Sequence, residues 1–498
     1  MIVKTEPDEI RKYLSDESGY KGYCDNVCFP ENENDIIEVV KQCNATKTKI
    51  TISGNGTGLT SGRVPEGGVV LSMEKLNAIP EINENEKYVL VQPAVILNDL
   101  QNLVENRGLF YPPDPTERNC FIGATVSTNS SGARTFKYGP TRNYVFGLRV
   151  ILANGKILNL KRGRDIAAGF KAVIQAEDGT DIFFTIPEFE MPKTKNAAGY
   201  YCKNNMDLID LFIGSEGTLG IITGIELKLI DLPTNIMSCV TFFNSDDDAL
   251  NFIEEARNLS KPIMTNSTIK TVNLFSARGL EYFDNYSLRF LSDNYPRIPE
   301  TSKAAVWYEQ EINDNEEEIF LLWTNLIKKH NGSEELSWFA FDKNEQEKLK
   351  EFRHAVAVKV NEFIAGKGLK KIGTDVAVPD KDFRKYYNTT KEKIEKARLR
   401  YVVYGHVGNS HIHLNFLPAN LEEYNAARIL YKEICLDAIK LKGTFSAEHG
   451  VGKSKRDYLI MMYGEDIVKK MAMLKKIFDP NDILNIGNIF EEKYLKEL

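Results

Sequence analysis

A strand that runs straight into alternate glycines constrains this chain more than any other feature. Lys49-Ile50-Thr51-Ile52 alternates as a strand does, and Ser53-Gly54-Asn55-Gly56-Thr57-Gly58-Leu59-Thr60-Ser61-Gly62 follows it. Residues without a Cβ let successive backbone N–H groups converge on one point, a nest for an anionic diphosphate. The spacing is neither of the common phosphate loops. From Gly54, GxGxxG needs glycine where Leu59 stands; from Gly56 it needs one where Ser61 stands; and no Lys-Ser/Thr pair follows. Alone, such a run is more often a plain turn.

Its company changes the weighing. Pro112-Pro113-Asp114-Pro115 is a stiff segment, and Ile122-Gly123-Ala124-Thr125-Val126-Ser127-Thr128-Asn129-Ser130-Ser131-Gly132 is built mainly of small and hydroxyl side chains. That run suits close backbone approach to a flat polar ligand and offers little to a packed core. Lys137-Tyr138-Gly139-Pro140-Thr141-Arg142 and Gly214-Ser215-Glu216-Gly217-Thr218-Leu219-Gly220-Ile221-Ile222-Thr223 repeat the theme.

At 498 residues two domains are expected. Helix signals at Asn34–Cys43 and Ile96–Arg107 alternate with strand signals at Val69–Met73, Tyr88–Gln92 and Ile221–Ile230. Leu148–Leu152 and Ile157–Leu160 flank the hairpin turn Asn154-Gly155. After Pro233 long charged helices are expected over Asp246–Leu259, 313–330, Asn344–Phe363 and Leu421–Leu441, with strands at Ala304–Glu309, Ser337–Phe341 and Tyr401–Tyr404. The fold class is therefore α+β. Residues 1–232 form one domain and 233–452 a second, expected as an antiparallel sheet with helices on one face; 453–498 close the chain.

A net charge of -7 argues against nucleic acid as the main partner. No apolar run approaches the roughly 20 residues that span a bilayer. The polar, acidic start Met1–Tyr20 does not read as a signal peptide. The seven cysteines are odd in number and scattered, without the clustered thiolates that an iron–sulfur centre needs, and Cys24 and Cys28 read as two exposed thiols. A reduced, cytoplasmic protein with no membrane span is expected.

The glycine turn and the small-residue runs, in this order and spacing, resemble the FAD-binding domain (PCMH type) of the vanillyl-alcohol oxidase superfamily. Within it they are most similar to the D-lactate dehydrogenase, D-2-hydroxyglutarate dehydrogenase and glycolate oxidase branch. The resemblance implies a two-part FAD-binding domain and an α+β cap domain with an antiparallel sheet. It implies that Ser53, Gly54, Asn55, Gly56, Thr57, Gly58, Leu59 and Ser61 cradle the diphosphate, and that Gly123, Ala124, Ser127, Thr128, Asn129 and Gly132 line the isoalloxazine side. Further cofactor contacts are implied for Pro113, Asp114, Arg134, Tyr138, Glu216, Gly217 and Gly220, for Ile221 on the last strand, and for Asn485 on the returning C-terminal segment. All six histidines lie beyond residue 329, so the FAD is expected to be non-covalent.

Four histidines sit in two segments, Gly405-His406-Val407-Gly408-Asn409-Ser410-His411-Ile412-His413-Leu414-Asn415 and Ser446-Ala447-Glu448-His449-Gly450-Val451-Gly452. His411 and His413 share a strand face; Gly-Asn-Ser can break the parity that separates His406 from His413. Spacing alone serves a divalent ion and a metal-free histidine cluster equally. The segments are similar to the metal and catalytic motifs of the 2-hydroxy acid dehydrogenases. By that resemblance His406, His413 and Glu448 hold a divalent metal (Zn, Mn or Fe), and His449 stands beside the reacting hydroxyl. Asn409 and His411 depart from the pattern, and His411 reads as tolerated there rather than as an added ligand or a substrate contact. Arg353, before Asp375-Val376-Ala377-Val378-Pro379, matches the arginine for the substrate carboxylate, and Asn415 is a further substrate contact. Gly373 stands where the hydroxyglutarate enzymes carry lysine, which leans toward a monocarboxylic acid.

The expected chemistry is oxidation of a small, D-lactate-like 2-hydroxy acid to the 2-oxo acid. The C2 hydride goes to flavin N5 and the hydroxyl proton to His449 with metal assistance. Electrons pass to an external acceptor, a soluble electron-transfer flavoprotein or an iron–sulfur subunit. The rival readings are a transferase resembling the alkylglycerone-phosphate synthases, disfavoured by Glu448, and a flavin electron-transfer subunit that has lost its chemistry.

Overall fold

The computed structural model describes residues 1–260, 274–312 and 315–497, with the paired strands Met264–Thr265 and Thr268–Ile269 between. Residues 313 and 314 of the expected helix 313–330 lie outside the described residues; Glu316–Lys329 is helical.

Beside two two-stranded sheets, Lys171–Gln175 with Asp181–Thr185 and Leu109–Phe110 with Ile230–Asp231, two larger ones build the first half. In one, Ile2–Lys4, Asn26–Phe29, Val69–Ser72 and Ile50–Ser53 lie side by side, the last three mutually parallel. Parallel neighbours require a crossover, and the helix Glu33–Thr46 supplies it; Asn32 Oδ1 caps it by accepting from Asp35 N at 3.1 Å. Its buried face, Ile36, Val39, Val40 and Cys43, packs on Ile50, Val69 and Leu71. Cys28 joins that core at 6% exposure and Cys24 is half-buried, so the expectation of two exposed thiols is corrected: β-strand alternation turns Cys28 inward.

The second sheet is antiparallel, in the order Glu81–Asn83, Tyr88–Val91, Ile221–Lys228, Val145–Ile151, Ile157–Lys161. The chain end returns to the first sheet. Ile50 N donates to Ile483 O at 2.6 Å and Asn485 N to Ile50 O at 2.9 Å, so residues 483–485 run beside the strand that feeds the glycine turn. Lys475, fully buried, holds that return by pairing with Asp479 at 2.6 Å and donating to the carbonyls of Thr218 and Leu484.

The third sheet is antiparallel and seven-stranded: Gly332–Ala340, Asn235–Phe243, Ala304–Ile312, Ala277–Asp284, Tyr401–Gly405, His411–Phe416, Val376–Ala377. Helices cover both faces, which corrects the expectation of one. Phe252 and Ile253 of helix Asp246–Ser260 and Trp323 of helix Glu316–Lys329 pack on Cys239, Leu280, Tyr282 and Tyr308. Leu349, Phe352 and Val356 of helix Lys343–Gly366 pack on Val240, Phe242, Phe283 and Trp307. The strands are apolar at consecutive positions, as in Ala304 to Tyr308, and such strands need cover on both sides. The strand Ala277–Asp284, at the centre of this sheet, was not foreseen: Arg278 and Glu281 interrupt its apolar pattern although both are buried.

Candidate active site

The glycine turn and the short helix Ile122–Thr128 wall one cavity of about 910 Å³. Gly54 and Ala124 face each other so closely that a Cβ on Gly54 would sit 3.3 Å from the Ala124 methyl, and one on Gly123 would sit 2.5 Å from Pro93 Cβ. Of the expected cofactor residues, Gly54, Asn55, Gly56, Thr57, Gly58, Gly123, Ala124, Ser127, Thr128, Glu216, Gly217, Gly220 and Asn485 lie on this wall. Asn485 is fixed at both ends, its Oδ1 accepting from Ile52 N and its Nδ2 donating to Glu216 O, each at 2.7 Å.

The others do not line it. Ile221 turns into the core beside Ile151 and Leu484, and Ile222 stands on the wall instead, because adjacent strand residues face opposite ways. Ser53 is buried behind the turn, where it accepts from Arg63 Nη1 at 3.2 Å; Leu59 points to solvent; Ser61 lies against Ser18. Asn129 Oδ1 accepts from Arg142 N. Pro113, Asp114, Gly132, Arg134 and Tyr138 form the seam between the first half and the seven-stranded sheet. There Arg134 pairs with Asp114 at 3.6 Å and Glu309 at 3.5 Å, Tyr138 Oη donates to Glu311, and Pro113 O accepts from Gln101. Arg63, Pro93, Phe121 and Asn488 line the cavity without having been expected, since no glycine-rich run includes them.

The first histidine segment joins the strands Tyr401–Gly405 and His411–Phe416 through a tight turn, Val407–Asn409, with Ser410 in the left-handed region at φ 53°, and the second is an irregular loop. The register pairs Phe283 with Tyr404 and Tyr404 with His413, so Glu281, Phe283, Val402, Tyr404, His411, His413 and Asn415 share the sheet face that helix Lys343–Gly366 covers. His406 swings back across the turn. One ligand atom each from His406, His411, His413 and Glu448 lies within 4.8 Å of the others.

The tautomers are set by the surroundings. His406 Nδ1 faces Glu281 Oε1 at 2.6 Å and His413 Nδ1 faces the Thr374 carbonyl at 3.2 Å. Both Nε2 atoms then turn to Glu448 Oε2, at 3.3 and 3.6 Å. This arrangement, with outer acceptors orienting two imidazoles and a carboxylate between them, suits a divalent ion. Lys195 and Ser131 hold the other oxygen, Glu448 Oε1. Burial raises Glu448, but His406 and Lys195 outweigh it and hold the carboxylate well below its usual range. Lys195 lies in an irregular loop with no motif around it, so the sequence offered no signal for it.

Asp375 organises the second histidine segment. It accepts from Ser446 Oγ at 3.0 Å and His449 N at 2.9 Å, pairs with Lys455 at 3.2 Å, and its Oδ2 stands 3.3 Å from His449 Nδ1. Burial lowers His449 to about 4 against the pull of Asp375, so its ring is neutral at neutral pH. His449 lines the large cavity, and its ring stacks on His413 at 5.6 Å and 12°.

His413 in turn lines a second cavity of about 300 Å³, with Glu281, Arg353, His354, Tyr404 and His406 among its walls. Arg353 is anchored by donating from Nε to Glu281 Oε2 at 3.1 Å and by Nη1 to His354 Nε2 at 2.5 Å. Burial lowers His354 to about 3, helped by the Arg353 charge, which leaves it an acceptor. Asn415 is on neither wall: it is buried with Oδ1 unpaired and packs on Gly373, where a Cβ would meet Oδ1 at 2.3 Å. Lys371 Nζ donates to Asn361 Oδ1 at 3.1 Å.

Residues 24–161 match the FAD binding domain family and residues 233–489 the FAD linked oxidases C-terminal domain family. The glycolate oxidase subunit GlcD of Bacillus subtilis is 30% identical over 492 residues, 96% of this chain and 92% of that protein. A D-lactate dehydrogenase of Anaerostipes hadrus is 29% identical (91% of this chain, 87% of that one), and a D-2-hydroxyglutarate dehydrogenase of Stutzerimonas stutzeri 27% (98% and 96%). Among solved structures an alkyldihydroxyacetonephosphate synthase shares the fold, with a TM-score of 0.67 at 15% identity over 97% of this chain and 81% of that one. No described helix is long and apolar enough to cross a membrane. With both halves matched and a relative aligned nearly end to end, the chain belongs to the FAD-linked oxidases, in the branch of the D-lactate, glycolate and D-2-hydroxyglutarate enzymes, and is an FAD-dependent oxidoreductase acting on CH–OH donors.

Proposed function

We propose that the chain oxidises a small, D-lactate-like 2-hydroxy acid to the 2-oxo acid. One observation carries the reading: His449 on the large cavity stacks on His413, which lines the small one, so the two cavities meet at a pair of imidazoles. Non-covalent FAD belongs in the large cavity, with the glycine turn against its diphosphate. Bound FAD supplies a two-electron oxidant, and a divalent ion (Zn, Mn or Fe) supplies a Lewis acid that acidifies the substrate hydroxyl.

The residues divide the remaining work. Glu448, His406 and His413 would hold the ion. Asp375 faces His449 Nδ1, which leaves Nε2 of a neutral ring to accept the hydroxyl proton. Arg353, held in place by Glu281, presents its guanidinium to the carboxylate. Position 373 is glycine, packed on Asn415 with no room for a side chain, so no lysine there pairs with a second carboxylate, which favours a small monocarboxylic acid. The electrons pass to a soluble acceptor such as an electron-transfer flavoprotein or an iron–sulfur subunit. Seven unpaired cysteines support a cytoplasmic location.

The test is anaerobic mixing of the flavin-loaded protein with a panel of D- and L-2-hydroxy acids. Bleaching of the flavin by a small D-hydroxy acid is expected; a flavin that stays yellow across the panel rejects the reading. A transferase or a degenerate flavin subunit would give that second result.

A further inference from the structure

We propose that His411 is a third imidazole ligand, so that the metal site is His406, His411, His413 and Glu448. The proposal rests on the reading above that this cluster holds a divalent ion, and adds a ligand to it. His411 is fully buried, and neither of its ring nitrogens makes a hydrogen bond. A buried imidazole carries one donor and one acceptor, and a nitrogen left without a partner is costly. Its Nε2 does stand 3.1 Å from Asp375 Oδ1, outside hydrogen-bond geometry.

The backbone puts the ring in the right place. His411 and His413 alternate onto the same face of strand His411–Phe416, with ring centroids 4.6 Å apart. The turn returns His406 to the same point: His411 N donates to His406 O at 3.3 Å, and the two rings stand 5.0 Å apart. Ligand atoms about 2.0–2.1 Å from an ion are separated by roughly 4 Å at most, so a set already within 4.8 Å closes by small side-chain movements. Each of the other imidazoles has one nitrogen committed, His406 to Glu281 and His413 to Thr374 O, and one turned inward. With Nε2 turned to Asp375, His411 offers its second nitrogen in the same manner, an acidic neighbour behind an imidazole ligand. Three imidazoles and a carboxylate suit Zn²⁺, Fe²⁺ or Mn²⁺ and still leave a position for the substrate.

The test uses the full-length, flavin-loaded protein charged with Zn²⁺. X-ray absorption is expected to count three imidazoles in the native protein and two in His411→Asn, and chelator competition to show affinity at least about tenfold weaker in that variant. Flavin absorbance reports that the variant is folded; should it lose flavin, the native count alone decides. Two imidazoles in the native protein, or equal affinity in a folded His411→Asn, overturns the third ligand. His406→Ala separates the two readings. If it loses Zn²⁺ while His411→Asn keeps it, only this proposal falls; if the native protein takes up no Zn²⁺, or His406→Ala keeps it, the metal site itself falls too.

Discussion

Glu281 Oε1 lies 2.6 Å from His406 Nδ1, deep under the seven-stranded sheet's covered face. Its other oxygen accepts from Arg353 Nε at 3.1 Å, so one carboxylate orients both a candidate metal ligand and the candidate substrate cation. Burial raises a carboxyl group, but His406 and Arg353 outweigh it and hold Glu281 well below the usual range. Glu281→Gln keeps the shape and removes the charge. It is expected to weaken metal binding about 10- to 100-fold, measured by chelator competition, and to raise KM for the hydroxy acid. Unchanged values of both would show that Glu281 is only packing.

His449→Gln should lower kcat about 10²- to 10⁴-fold, the range for loss of a general base, with flavin and metal content unaltered. Stopped-flow flavin reduction checks this directly. A variant that reduces its flavin at the native rate would exclude His449 as the proton acceptor.

Gly132 has no room for a side chain: a Cβ there would stand 1.9 Å from the Asp114 carbonyl oxygen, which is backbone and cannot step aside. Gly132→Ala is expected to cost at least about 2 kcal/mol in urea unfolding, through a forced shift of the seam that carries Asp114 and Arg134. Gly366→Ala, with nothing within 4 Å at the end of its helix, is the control and should be neutral or slightly stabilising.

Glu216 is buried and accepts from Val451 N at 2.6 Å and Gly452 N at 2.8 Å, which ties the flavin-side loop to the loop of His449. Burial outweighs those bonds and raises its carboxyl to about 7. Between about pH 4.5 and 7 the folded protein therefore binds a proton that the unfolded chain has lost, and stability falls as pH rises through that window. Glu216→Gln should flatten this dependence by up to roughly 3 kcal/mol, read from urea midpoints at pH 5 and pH 8. Parallel pH profiles in native and variant would remove Glu216 as the source.

What the sequence determined by itself was local and chemical. The turn Gly54–Gly58 was legible because alternate glycines mark it, and the helices Asp246–Ser260 and Leu421–Lys440 because charge and apolar period repeat along them. His406, His413, Glu448 and His449 could be named because their residue types are rare and clustered. The tertiary structure decided which of these groups meet. Strand parity put Ile222 rather than Ile221 on the cavity wall, and packing of the first half against the seven-stranded sheet put Pro113, Asp114, Arg134 and Tyr138 at the seam. Lys195 and Glu281 arrive at the histidines from loops and strands more than a hundred residues away, where no spacing records them. Local periodicity is written in neighbouring residues, whereas a carboxylate's partner is set by which strands pair, and only the folded sheet brings Glu281 to His406.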